Sequence, residues 1–149
     1  MVIYYFVLII SFIFYFIQSD KRVPSVSLFF CFMLTIALFV GFGDMIGGYD
    51  RYIYGEVFDT IADEMRGKRD VSRLFYLVSG KEFGYFIWQL IISIFTPNRY
   101  IFILVTTLTI YLLFFRVMRK YMLDYPLAVI VFMGMLFYFT MTYLRAVFA

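Results

Sequence analysis

The feature that most constrains this chain is its division into long, nearly uncharged apolar blocks. Val2 to Ile17 is apolar or aromatic except for Ser11, and Val26 to Met45 runs for about twenty residues, the length a helix needs to cross a bilayer core. Tyr100 to Phe115 and Leu127 to Leu144 are two more such blocks. Phe83 to Thr96 is as apolar but only fourteen residues long, which is the range of re-entrant or interfacial segments. With 64% hydrophobic and 15% charged residues, the chain has too little charge to cover a soluble domain of 149 residues. The blocks predict an all-α, polytopic membrane bundle of four to five apolar segments and a single membrane domain over 1–149. The lipid bilayer is its first partner.

The first block lacks the basic start and small-residue cleavage site of a signal peptide, so it is expected to stay as a span. The 50–82 segment is the one polar stretch and is expected outside the membrane. Within it Val57, Ile61 and Met65 recur at i, i+4, i+8, with Phe58 and Ala62 beside them. Glu56, Asp59, Asp63 and Glu64 lie opposite, which predicts a short amphipathic helix that Gly67 stops.

Composition also excludes chemistry. There is no histidine, and Cys31 is the only cysteine, so histidine acid–base work, zinc sites of His or Cys, and an intrachain disulfide are out. Nothing calls for a cofactor or a metal. The net charge of +3 comes with no basic run interleaved with aromatics, which argues against nucleic acid. Carboxylates, tyrosines, lysines and arginines remain.

Two arrangements of these stand out. Asp50 and Arg51 follow Gly47-Gly48-Tyr49 where the second block ends, and Glu82 precedes Phe83-Gly84-Tyr85. An aspartate at a membrane surface can serve as general base toward a sugar hydroxyl, and an arginine can fork onto phosphate oxygens. The plainer reading is solvated loop charges or interfacial anchors. Arg145 closes an apolar run of about eighteen residues, where an ionisable group is either a functional residue or one that snorkels to the headgroups.

The orientation stays open at this level. If Phe83 to Thr96 spans, the second and fourth loops hold nine basic residues and belong in the cytoplasm. If it does not, Lys21, Arg22, Arg116, Arg119 and Lys120 share the cytoplasm and the Asp50 segment lies outside.

Ile46-Gly-Gly-Tyr-Asp50-Arg-Tyr-Ile-Tyr54, Glu82-Phe-Gly-Tyr85, Thr96-Pro-Asn-Arg-Tyr-Ile-Phe102 and Thr142-Tyr-Leu-Arg145 together resemble the EpsG family. These are bacterial membrane proteins of exopolysaccharide and O-antigen assembly, related in role to Wzy-type polymerases. The resemblance implies a glycosyltransferase-type polymerase in the bacterial inner membrane. It would join polyprenyl-pyrophosphate-linked oligosaccharide repeat units, in company with other polysaccharide assembly proteins. It makes Asp50 the catalytic base candidate, and Arg51, Glu82 and Arg145 the substrate-binding candidates. Gly43 stands where the family usually has an arginine, and Ala146 where a glutamine usually follows. Family members continue through further spans, so the chain is expected to be the N-terminal portion of such a protein. The alternative, from a different class, is a non-catalytic truncated remnant or partner subunit of a glycan assembly complex.

Overall fold

The computed structural model describes residues 2–19, 25–42, 49–67 and 83–135. Among them every regular element is a helix: α1 Val2–Ser19, α2 Val26–Phe42, α3 Tyr49–Arg66, α4 Phe83–Phe95, α5 Arg99–Tyr121 and α6 Tyr125–Met135. Within the described residues the apolar blocks are helical. Among the described residues only α5 is both long and apolar enough to cross a membrane, while α1, α2, α4 and α6 are shorter apolar helices.

The boundaries differ from the blocks where apolarity and helicity part company. α5 does not stop at Phe115 but carries Arg116, Arg119 and Lys120 in its last turns. Nothing in that stretch breaks a helix, and cations favour the negative end of the helix dipole. Asn98 opens α5 by accepting the N–H of Tyr100 at 2.9 Å. α6 begins two residues before Leu127, because the Asp124 carboxylate caps it by accepting the Leu127 N–H at 3.0 Å. Pro126 falls in the first turn, where its missing N–H costs nothing.

α1, α2, α5 and α6 form an up-and-down frame whose direction can be read from pairs of residues. Phe14 of α1 stacks on Phe32 of α2 at 4.5 Å. The buried Gln18 closes that hairpin, accepting the Ser25 N–H at 2.9 Å and donating to the Ser25 carbonyl at 3.3 Å. At the start of α2, Phe29 and Phe30 meet Phe115, late in α5, at 4.9 and 5.3 Å. At its end, a methyl placed on Gly41 would lie 2.6 Å from Leu104 Cδ1, early in α5. The two helices are therefore antiparallel, and any side chain at Gly41 would have to displace the Leu104 side chain for them to close as they do. Phe132 of α6 packs on Tyr111 and Phe114 of α5, and Tyr125 stacks on Phe29 at 4.8 Å. A methyl added at Gly134 would sit 4.0 Å from Leu8 Cδ1, which brings the end of α6 back to the first half of α1.

Because α2 and α5 run antiparallel, the chain leaves α2 and enters α5 at the same end of the frame, and α3 and α4 form an excursion at that end. α3 is amphipathic, as its sequence pattern required, but its buried line is Tyr54, Phe58, Ile61 and Ala62. Val57 and Met65, expected at the centre of the apolar stripe, are half-buried. Two aromatic rings bury more surface than a valine and a methionine, so they take the inner side of the helix. Gly67 does end it, donating its N–H to the Asp63 carbonyl at 2.7 Å.

Candidate functional site

The first residues of the polar segment are helical rather than loop. Asp50 and Arg51 lie in the first turn of α3, which starts at Tyr49. Glu82, immediately before α4, and Arg145, ten residues beyond the last turn of α6 described, lie outside the described residues.

Around α3 the described residues bring three separate stretches of sequence together. Tyr54, one helical turn after Asp50, meets the Tyr85 ring edge-on at 5.9 Å. Tyr85, three residues after Glu82, approaches Phe102 of α5 at 6.2 Å. Phe58 stacks flat on the same Phe102, with centroids 4.4 Å apart and planes within 5°. All four rings are buried. The segments 46–54, 82–85 and 96–102 thus meet through one aromatic residue each, at the end of the frame where α2 stops and α5 starts. α4 also reaches α5 through Trp88, whose indole N–H donates to Thr106 Oγ1 at 3.0 Å.

Two charged residues of this region were not among the sequence candidates. Arg99, the first residue of α5, places Nη1 3.6 Å from Asp59 Oδ2 of α3, with 28% and 41% of the two side chains exposed. Its guanidinium also lies over the Tyr100 ring, 5.2 Å from the centroid. Burial raises the Asp59 carboxyl above its ordinary value; Arg99 pulls it back, and Asp63 and Glu56 push it further up. A carboxyl raised in the folded state adds stability at acid pH that is lost as pH rises through the raised value. The Arg99 guanidinium thus favours the charged Asp59, while burial and the neighbouring acids oppose it. Asp59 was visible in the sequence only as a member of an acidic face. Arg99 stood inside the third motif, but a lone arginine after Pro-Asn carries no signal of its own. Among the described residues no group of three or more metal-ligating side chains comes together.

No curated protein and no solved structure matches the chain. The family model for EpsG does match, over residues 26–149, from the first residue of α2 onward. That span covers all four of the motif segments and most of the chain, and it associates the protein with membrane-based polysaccharide biosynthesis in a polymerase-like role. The chain belongs to the EpsG family.

Proposed function

We propose that this protein is a polytopic membrane polymerase that joins polyprenyl-pyrophosphate-linked oligosaccharide repeat units into exopolysaccharide or O-antigen. The observation that carries this reading is the meeting of Tyr54, Tyr85 and Phe102, which gathers three of the four motif segments at one end of the frame. A lipid-linked substrate presents its pyrophosphate and first sugar at headgroup depth, the level at which tyrosines settle. Asp50 would take the proton of the acceptor hydroxyl as the donor glycan leaves its pyrophosphate. Arg51 and Arg145 would hold the departing pyrophosphate, and Glu82 would contact the glycan.

The packing supports a bilayer around the frame. Its helices expose large apolar side chains on their outer faces, among them Phe6, Ile13, Phe39, Leu113 and Val131, a pattern costly in water. α5, about 34 Å long at 1.5 Å per residue, exceeds the roughly 30 Å hydrocarbon core. α4, with thirteen residues, reaches only about 20 Å. Because α2 and α5 are antiparallel, α3 and α4 make no net crossing, which favours four spans over five. Lys21, Arg22, Arg116, Arg119 and Lys120 then share one face and, by the positive-inside rule, the cytoplasm. The Asp50 segment faces outward.

Two measurements test this. In a strain lacking the gene, lipid-linked single repeat units accumulate and the polymer ladder disappears until the protein is supplied again; an unchanged ladder refutes the assignment. For the orientation, a cysteine replacing Ser72 in a Cys31→Ser background reacts with an impermeant maleimide once the outer envelope is opened. Labelling that waits for the inner membrane to be breached places the segment on the opposite side.

A further inference from the structure

We infer that Arg99 is a positioning residue: together with Gly55 and Asp59 it fixes the rotation and axial setting of α3, and so the place of the turn that bears Asp50. This deepens the reading above and rests on it.

Arg99 occupies an unfavourable place by local rules. It is a cation at the positive end of the α5 dipole, in a first turn that holds no acid. What faces it is α3. Glu56, Asp59 and Asp63 follow one another at i, i+3, i+7 along one side of that helix, and the Arg99 guanidinium stands against the middle one. A residue that breaks a local preference is expected where the wider structure needs it.

The second observation is steric. Gly55 is a buried residue in the interior of α3, where glycine is a poor helix former. A Cβ built there would lie 3.2 Å from Arg99 Cδ, 3.7 Å from its Cβ and 3.8 Å from its Cγ. The glycine leaves a notch, and the arginine stem lies in it.

Adhesion and register have different sources here. Tyr54, Phe58, Ile61 and Ala62 hold α3 to its neighbours, yet an apolar face tolerates rotation and sliding. A half-exposed ion pair adds little stability. It does distinguish one setting from the rest, because a slip of one residue moves Asp50 by about 1.5 Å and turns it through about 100°. Misplacement of a reacting group by about 1 Å can cost on the order of 10²-fold in rate.

The test uses the full protein in membranes, in a Cys31→Ser background, with single reporter cysteines at two buried positions. Ala62→Cys reports the docked face of α3, and Ala37→Cys reports the core of α2; both alanines are 1% exposed. Maleimide alkylation is followed together with polymer synthesis per inserted protein. Arg99→Asp sets an anion against the acidic side of α3. It should speed alkylation of the α3 reporter about tenfold, leave the α2 reporter protected and lower polymer synthesis at least about tenfold. Adding Asp59→Arg restores both readouts, and Arg99→Lys disturbs neither by more than about twofold. Gly55→Leu, which fills the notch, opens the α3 reporter with the charges intact.

Unchanged protection of the α3 reporter in both Arg99→Asp and Gly55→Leu overturns the inference. So does joint exposure of the two reporters, which would make Arg99 a general fold determinant, or failure of the charge swap to restore. Full polymer synthesis with the α3 reporter open upholds the positioning of α3 by Arg99 and counts instead against α3 as part of the reaction site.

Discussion

Replacing Asp50 with asparagine should lower polymer synthesis by roughly 10²–10⁴-fold, measured as ladder formation per unit of membrane-inserted protein. Asparagine keeps the shape of the side chain but cannot accept a proton. The competing role is structural and specific: Asp50 lies in the first turn of α3, where an acid complements the positive helix end. That contribution is worth about 0.3–1 kcal/mol. A loss of 10²–10⁴ in rate corresponds to roughly 3–5 kcal/mol of barrier. The two roles therefore predict results that do not overlap. A dipole partner changes the amount of folded protein slightly and the turnover of each molecule not at all. Near-normal synthesis by the asparagine variant would assign Asp50 to the helix end alone.

Arg145→Lys should remove most polymer while leaving the protein in the membrane at normal abundance. Arg145 is the one ionisable residue of the last motif segment apart from its tyrosine, and α6, which precedes it, runs toward the end of the frame that holds α3. Lysine keeps the positive charge. What it lacks is the planar pair of donors that grips two phosphate oxygens at once, so the effect isolates bidentate contact from charge. We expect at least a tenfold loss, about 1.4 kcal/mol of transition-state binding. Polymer of normal amount and length with lysine would make Arg145 a generic cation or a membrane anchor.

The architecture was legible in the sequence to the extent that apolar blocks dictate helices. Blocks do not mark helix ends, so α5 extends through Arg116, Arg119 and Lys120, which a hydropathy reading places in a loop. Periodicity announced α3 and its stop at Gly67. It misjudged the rotation, since a count of apolar positions weighs Val57 like Phe58, whereas packing weighs them by buried area. The antiparallel pairing of α2 with α5, seen where Gly41 meets Leu104, is a tertiary fact that no local pattern encodes. The site was legible as segments and not as an arrangement. Asp50 and Glu82 stood out as carboxylates beside glycine and tyrosine. Arg99 did not, because its meaning lies in Gly55 and Asp59, some forty residues earlier.

The pairing of α2 with a helix that comes so much later also dictates a schedule. At about 5–20 residues per second, the ribosome needs roughly 3–11 s to make the chain from Phe42 to Arg99. Throughout that time α2 has α1 beside it, but the surface at Gly41 lacks the Leu104 side chain that later packs on it. Slow translation of the stretch between them, for instance through rare codons, prolongs the exposure of a half-partnered helix and gives quality-control proteases longer to act. Yield should thus depend on how fast the segment between α2 and α5 is read, even when no amino acid in it is changed.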